Sequence, residues 1–396
     1  MPKLVEHNKC TGCCACVNVC THNAIYMVED KEGFVYPQID NVKCIECGLC
    51  EKTCPVINCT ESVNTSNPKV YAVWHEIDRT LSSSGGAFSA FARFIISKGG
   101  IVYGATFDKN MMLRHTGISS TEDLKKLRGS KYIQSNIKDT FKEVKKYLQE
   151  GKDVLYCGTP CQIAGLKSFL KKPYEKLLTL DLVCHGTPSQ KIFDSYIDKL
   201  QKETNIGNIQ EFIFRRLKGW GYSPTVKLES GKEKGLYGTE NLYMEAFNAS
   251  ALLRESCYNC PFAKIPRQGD CTLADFWGIG RHGVPFKHDV MQGVSLVLVN
   301  NDRGANALNQ IQNSFLVERS LEEALIENHN IIHSSICHPQ REEIIKAFLD
   351  ENATLDSINT QYHIVDSSIK GKIKMYASKY GLFNIAKRIY NKYKSL

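Results

Sequence analysis

The feature that most constrains this chain is a duplicated run of cysteines near its start. Four cysteines follow the pattern Cys-x2-Cys-x2-Cys-x3-Cys, and the same pattern returns 34 positions later. Three thiolates spaced in this way can hold three corners of a four-iron cluster, and the last cysteine of each run then reaches the neighbouring cluster. The spacing therefore predicts two 4Fe-4S clusters. The predicted ligands are Cys10, Cys13, Cys16 and Cys54 for one cluster, and Cys44, Cys47, Cys50 and Cys20 for the other.

Structural zinc is the alternative chemistry for such a cysteine-rich segment. A zinc site usually combines two Cys-x2-Cys halves, whereas here a whole four-cysteine run is repeated and Cys54 is followed by Pro55. This pattern favours iron–sulfur clusters, and it resembles that of bacterial two-cluster ferredoxins. Thr21 departs from the ferredoxin pattern, which usually has proline there. We expect the first domain to span residues 1–60.

Composition and charge exclude several other classes of protein. The chain has 396 residues and 17 cysteines, which is too large for a small secreted disulfide scaffold. Its first residues lack the apolar core of a secretory signal, so a cytoplasmic location is expected. No run of 18 apolar residues is present. The net charge of +8 lies entirely in residues 367–396, and the neutral body predicts no nucleic-acid binding.

Residues 61–68 are polar, end in a proline and read as a linker. After the linker, residues 69–340 alternate between strand-like and helix-like segments, which predicts a larger mixed α/β domain with a partly parallel sheet. The predicted strands are 101–106, 153–156, 178–183 and 294–299. The predicted helices are 87–97, 138–149, 162–170 and 190–201.

Two junctions between a strand and a helix in this domain look alike. Each contains Gly-Thr-Pro, at residues 158–160 and 186–188, and each lies beside a cysteine, Cys161 or Cys184. Threonine can cap a helix, and proline suits its first turn. The carboxyl ends of parallel strands are where α/β sheets bind ligands. The two junctions therefore predict a ligand site.

Three further segments carry candidate binding groups. Cys257 and Cys260 form a Cys-x2-Cys pair that is either half of a zinc site or, with the two junction cysteines, the ligand set of a third 4Fe-4S cluster. The segments Ser82–Gly86 and Gly129–Ser135 are rich in small residues and in hydrogen-bond donors. Such segments suit a phosphate, although each taken alone is also typical of a plain turn.

Taken together, the motifs of residues 70–340 resemble the coenzyme F420 hydrogenase/dehydrogenase beta-subunit family. The members of this family are iron–sulfur oxidoreductases that contain FAD. The motifs that carry the resemblance occur in order, at residues 129–132, 158–162, 184–186, 257–262, 275–278 and 293–297.

The resemblance implies an FAD site and a third 4Fe-4S cluster beside it. His185 is implied as a catalytic residue that contacts the flavin or protonates substrate, although a structural histidine fits its position equally well. The FAD-binding candidates are Ser84, Gly85, Gly86, Gly129, Ser130, Lys131, Tyr132, Ser135, Gly158, Thr159, Pro160 and Gln162. The implied ligands of the third cluster are Cys161, Cys184, Cys257 and Cys260, with Cys157 as the substitute for Cys161.

Three functions remain open from the sequence. The leading hypothesis is an FAD-dependent oxidoreductase. It would pass electrons from a ferredoxin-like donor through the clusters to FAD and then to an organic substrate. A flavin suits this role because it can accept single electrons from clusters and deliver two electrons together to a substrate. The second is a non-catalytic electron-relay subunit of a larger redox complex. The third, implied by the resemblance, is oxidation or reduction of the deazaflavin coenzyme F420 itself.

Residues 341–396 form a basic C-terminal extension that is expected to be helical. Its last 30 residues hold eight Lys or Arg and no acidic residue, and apolar residues recur at steps of three and four from Ile369 to Tyr393. A basic amphipathic helix of this kind either docks on an anionic membrane surface or on a partner, or packs on the body of its own protein. Peripheral membrane contact is therefore the alternative to a purely cytoplasmic location.

Overall fold

The computed structural model describes residues 2–58, 62–215 and 224–366. Its first domain places one short helix inside each cysteine run, α1 (Ala15–Val19) and α2 (Leu49–Thr53), and an antiparallel hairpin of β1 (Ile25–Glu29) and β2 (Val35–Ile39) between them. Each helix follows a residue with positive φ and ends at the last cysteine of its run. The sequence duplication is therefore also a duplication of local structure.

A mixed sheet of eight strands forms the centre of the larger domain. Its strands are β3 (Lys69–His75), β4 (Ile101–Phe107), β5 (Leu113–Ile118), β6 (Val154–Gly158), β7 (Leu177–Leu182), β11 (Cys271–Asp275), β12 (Ser295–Val299) and β13 (Ser314–Arg319). They lie in the order β13-β3-β12-β11-β7-β6-β4-β5. The four strands β4, β6, β7 and β11 are parallel to one another, and the strands outside them pair antiparallel.

Helices cover both faces of this sheet, because its central strands are apolar on both sides. The helices of these layers and of the connections are α3 (Ala87–Ser97), α4 (Leu124–Leu127), α5 (Thr140–Gln149), α6 (Pro160–Leu170), α9 (Asp302–Leu308) and α10 (Leu321–Glu327). Along β6, Val154 and Tyr156 pack against α5 and α6, whereas Leu155 and Cys157 pack against α3 on the other face.

A second core, rich in aromatic residues, lies beside the large sheet. Phe193 of its longest helix packs edge-to-face with Phe212 at 5.2 Å and with Tyr243 at 5.3 Å. Its three-stranded sheet consists of β8 (Ile209–Ile213), β9 (Thr225–Leu228) and β10 (Glu233–Gly235), and its helices are α7 (Gln190–Thr204), α8 (Leu242–Asn248), α11 (Arg341–Leu349) and α12 (Leu355–Tyr362).

The predicted fold class is confirmed: a small ferredoxin-like domain precedes a larger mixed α/β domain. The four strands and four helices expected from sequence are present, and the helix at Ala87–Ser97 has the expected bounds. The first part of the extension forms α11 and α12, which pack on α7. The expected basic helix beyond Ser367 lies outside the described residues. Within the ranges that the structure describes, none of the helices has the length and apolar character needed to cross a membrane.

Candidate functional site

The first predicted cluster set crosses between the two cysteine runs. Cys54, from the second run, lies close enough to Cys10 and Cys16 for their charges to interact. Burial raises the pKa values of Cys13 and Cys16, and neighbouring thiolates raise them further. Such a group of buried thiols is stabilised when a metal centre takes up the thiolate charge. The donor chemistry of this set therefore fits a cluster.

The second predicted set lies nearer the protein surface. Cys47 is exposed, Cys20 and Cys44 are partly buried, and Cys50 is buried. The two runs are brought together because α1 and α2 pack against each other. The backbone N–H of Ala24 also donates to Cys20 Sγ at 3.3 Å. This set is the more accessible of the two from solvent.

Four cysteines of the larger domain converge at the carboxyl ends of β6 and β7. Cys161 begins α6, Cys184 follows β7, and Cys257 and Cys260 lie in the loop after α8. Each interacts electrostatically with at least one of the others, and Cys184 does so with all three. Burial raises the pKa values of Cys161 and Cys257 to about 11. The structure thus brings together the set that the family resemblance implies.

The other buried cysteines of this domain lie apart from the set. Cys157 and Cys271 pack in the apolar layer between the sheet and α3. Burial raises the pKa of Cys157 to about 12, as expected for a thiol in apolar surroundings. The sequence offers Cys157 as a substitute ligand in case Cys161 lies away from the other three cysteines. In the structure Cys161 lies near Cys184 and Cys260.

Helix α6 connects the cysteines of the two domains. Cys161 lies near enough to Cys13 and Cys14 for its charge to raise their pKa values. One turn further on, Gly165 packs directly on Cys13, and a Cβ at position 165 would lie 3.2 Å from Cys13 Sγ. A side chain at this position would press on Cys13, so the glycine allows the close approach of α6 to the first domain.

A cavity of about 610 Å³ opens beside Cys161 and Cys184, within the usual size range of cofactor sites. Gly85 and Pro160, two of the twelve predicted FAD-binding residues, are not in its lining. Gly85 instead allows the chain to approach the backbone of β3 and β12, where a Cβ would lie 2.1 Å from Val73 O. The ten that line the cavity are Ser84, Gly86, Gly129, Ser130, Lys131, Tyr132, Ser135, Gly158, Thr159 and Gln162.

One end of the cavity is rich in donors suited to a phosphate. The first turn of α3, residues 87–89, lines it, and the first backbone N–H groups of a helix have no acceptor within that helix. Ser83 Oγ lies 3.2 Å from Ser130 Oγ. The guanidinium of Arg128 donates to Ser89 Oγ at 3.1 Å and pairs with the buried Asp78. These groups could hold a pyrophosphate.

The ammonium of Lys131 contacts the protein's own backbone. It donates to the carbonyl oxygens of Arg128 at 2.8 Å and Leu127 at 3.0 Å. It therefore caps the carboxyl end of α4, where a cation is favoured, and the side chain also lines the cavity. Burial lowers the pKa of Lys131 to about 7. The expected contact of Lys131 with a phosphate stays a prediction.

The structure adds His115, which sequence reasoning missed. His115 Nδ1 lies 2.8 Å from Ser135 Oγ, and Gln162 Nε2 donates to the same hydroxyl at 3.0 Å. His115 Nε2 lies 2.9 Å from the carbonyl oxygen of Cys157. Burial lowers the pKa of His115 to about 4, so it is neutral at pH 7. A lone histidine on an antiparallel strand gives no local signal for this role.

His185 lines the cavity, and both of its ring nitrogens have partners. Nδ1 lies 3.2 Å from Asn330 Oδ1, and Nε2 lies 3.0 Å from Ser250 Oγ and 3.2 Å from the Phe247 carbonyl oxygen. These contacts hold the loop that follows Cys184. They correspond to the structural histidine that the sequence left open beside the catalytic one.

Asp275 and Trp277, from the Asp-Phe-Trp-Gly motif, also line the cavity. Arg215 donates to the carboxylate of Asp275, and its guanidinium lies 5.3 Å from the ring of Trp277. Glu327 lines the cavity as well and accepts from Arg281 at 2.7 Å. The cavity wall thus combines hydroxyl groups with charged and aromatic side chains.

Comparison with known proteins agrees with this arrangement. Residues 9–58 match the family of 4Fe-4S dicluster domains, so the chain is an iron–sulfur redox protein. Residues 151–324 match the family described as the C terminus of the coenzyme F420 hydrogenase/dehydrogenase beta subunit. This matched part of the larger domain therefore belongs to that family, as the motifs predicted.

Two curated proteins are similar over much of the chain. The F subunit of the F420H2 dehydrogenase of Methanosarcina mazei is 24% identical over 58% of this chain and 68% of its own length. The coenzyme F420-dependent sulfite reductase of Methanocaldococcus jannaschii is 24% identical over 78% of this chain, which spans 47% of that enzyme. A chain of the F420-reducing NiFe hydrogenase complex from Methanosarcina barkeri aligns with 77% of this chain and 94% of its own, at 15% identity and a TM-score of 0.43.

Proposed function

We propose that this chain is an oxidoreductase that carries electrons between the clusters of its first domain and a flavin with its organic substrate in the cavity. The position of Cys161 carries the proposal. This residue lines the cavity, interacts with Cys184 and Cys260, and lies beside Cys13 of the first domain. It therefore links the cysteines of both domains to a cavity of cofactor size.

In this proposal the chain's own residues hold the groups and exclude water. The first turn of α3 and the hydroxyl groups of Ser83 and Ser130 would bind the phosphates of FAD. Ser135, oriented by His115 and Gln162, would offer a hydrogen bond to the cofactor. When bound, FAD would supply the exchange between one-electron and two-electron transfer.

A third 4Fe-4S cluster would be held by Cys161, Cys184, Cys257 and Cys260. The four cysteines are partly buried and lie close enough to interact with one another, and a metal centre would take up the negative charge of their thiolates. The partly buried His185 would keep the loop after Cys184 in place through its contacts with Asn330 and Ser250. On this account His185 is a positioning residue.

Reduction or oxidation of coenzyme F420 is the second candidate function. Its support is that two similar proteins are named for chemistry on this coenzyme. A purely relaying subunit is less favoured, because the cysteines lie beside a cavity within the size range of cofactor sites. Because one of the relatives is a subunit of a larger enzyme, we also propose a redox protein partner that docks near the exposed Cys47.

The experiment is a comparison of Cys161→Ser with Cys157→Ser in protein purified without oxygen. Both cysteines lie at the β6–α6 junction, Cys157 buried and Cys161 partly buried. Cys161→Ser should lose about four of about twelve irons per chain, whereas Cys157→Ser should keep them all. Equal iron contents would contradict the proposed third cluster. Addition of coenzyme F420 to the reduced wild type then tests the second candidate, since it predicts bleaching of the deazaflavin absorbance.

A further inference from the structure

Arg254 is a fully buried cation at the contact between the two domains. Its side chain is 0% exposed. Nε donates to the carbonyl oxygen of Cys10 at 2.6 Å, Nη1 to Gln134 Oε1 at 3.1 Å, and Nη2 to the carbonyl oxygen of Val35 at 3.1 Å. The guanidinium also stacks on Tyr36, at 4.1 Å from the ring centroid. It is thus held from several directions by neutral groups.

Arg254 has no ion pair among the residues that the structure describes, unlike two other buried arginines that lie between segments distant in the chain. Arg267 faces Asp181 at 3.0 Å, and Arg341 faces Glu32 at 2.7 Å. Burial of a charge without a counter-charge costs several kcal/mol. Neutral carbonyl oxygens and an aromatic face offset only part of this cost. A negatively charged cluster close to Arg254 would offset the rest.

Arg254 contacts segments that carry cysteines of both proposed clusters. Besides its bond to Cys10, the backbone N–H of Arg254 donates to Thr187 O at 3.0 Å, in the loop that follows Cys184. The backbone N–H of Cys257 donates to the Arg254 carbonyl oxygen at 2.9 Å. A Cβ at Gly12, between Cys10 and Cys13, would lie 3.1 Å from Arg254 Nη1. A single cation thus lies beside cysteines of both domains.

We propose that Arg254 is the shared counter-charge of the first N-terminal cluster and the third cluster, and that it raises the reduction potentials of both. The inference rests on the proposed function. A cluster bound by four thiolates gains one further negative charge when it accepts one electron. A fixed positive charge nearby stabilises the reduced form. No bond is made or broken, and the guanidinium keeps its proton throughout.

The test is a redox titration of the anaerobic holoprotein, followed by electron paramagnetic resonance. In Arg254→Gln, the ratio of reduced to oxidised cluster at a fixed potential should fall about tenfold for both clusters, a shift of about 59 mV for a one-electron couple. Arg254→Lys keeps the charge and should shift less. The second N-terminal cluster, on Cys20, Cys44, Cys47 and Cys50, is the internal reference and should not move.

Arg341→Gln is the matched control. Arg341 is also a buried arginine that joins the two domains, through Glu32, yet it contacts none of the cysteine sets. Arg341→Gln should weaken the contact between the domains without changing the reduction potential of any cluster. Unchanged potentials in Arg254→Gln with full iron content would overturn the inference, as would an equal shift in Arg341→Gln.

Two further outcomes keep the test decisive. If Arg254→Gln loses iron, the variant Gln134→Glu is titrated instead. This substitution places a carboxylate about 3.1 Å from the guanidinium and leaves Arg254 in place. Lower potentials of the same two clusters then support the inference, and unchanged ones refute it. If the wild type holds only about eight irons, the proposed third cluster fails, while the effect of Arg254 on the first cluster is still measured.

Discussion

The packing of the first domain on the second can be tested at Gly33, in the turn of the β1–β2 hairpin. Gly33 has φ +83°, and a Cβ there would lie 2.3 Å from Lys191 Cβ and 2.9 Å from Ser189 Oγ at the start of α7. Gly207 has the same φ of +83°, with nothing within 4 Å of the corresponding position. The two glycines therefore share a backbone conformation and differ in their surroundings.

Alanine at either position costs about 1–2 kcal/mol, because an L-residue is disfavoured in the left-handed region. At Gly33 the added methyl group must also displace carbon atoms from 2.3 Å to about 3.5 Å or more. Overpacking of this kind typically costs about 1–3 kcal/mol more. Gly33→Ala should therefore destabilise the protein by about 1–3 kcal/mol more than Gly207→Ala.

The assay is urea unfolding under argon, followed by tryptophan fluorescence, for the wild type and both variants. Gly33→Ala should also slow electron transfer out of the first domain, because the hairpin carries Val35, which Arg254 contacts. Gly207→Ala should transfer electrons at the wild-type rate. Equal unfolding midpoints and equal rates for the two variants would refute the domain packing described above.

The remaining predictions concern the pH dependence of stability, the proposed phosphate-binding part of the cavity and the sensitivity of the clusters to oxygen. Burial lowers the pKa of His115 to about 4 in the folded protein. Below pH 6.5 the unfolded chain therefore binds a proton that the folded protein does not bind. The free energy of unfolding should fall by about 3 kcal/mol between pH 6.5 and pH 4. In His115→Gln, the urea unfolding midpoint should vary less with pH across this range than in the wild type, and an unchanged pH dependence would contradict this role of His115. Ser130→Ala should weaken FAD binding several-fold in flavin titrations, with the iron content unchanged. Cluster absorbance should bleach in air, and stable absorbance would contradict cubane clusters.

Sequence alone identified the features that depend on local spacing. The cysteine runs were recognisable because three ligands of each predicted cluster follow one another with two residues between them. The helix at Ala87–Ser97 was recognisable from its apolar pattern, and the strand around Leu155 from a short continuous apolar run. The Gly-Thr-Pro junctions correctly indicated the carboxyl ends of two neighbouring parallel strands, since β6 and β7 are paired in the sheet.

Features that depend on pairing between distant segments were not accessible in this way. Arg254 contacts Cys10 across 244 positions of the chain, and no local pattern marks such a residue. His115 acquires its role only because β5 lies at one edge of the sheet, next to the segment that contains Ser135. The donor-rich segment of Lys131 predicted a phosphate contact, but not that its ammonium also contacts the carbonyl oxygens of residues 126–129, at and just beyond the end of α4.

The most direct test of the account is the amount of iron, acid-labile sulfide and flavin per chain in protein purified without oxygen. Three cubane clusters and one flavin predict about twelve irons, about twelve sulfides and one FAD. About eight irons with no flavin would contradict the account. Only the N-terminal iron–sulfur domain would then stand, and the cavity beside Cys161 would need another ligand.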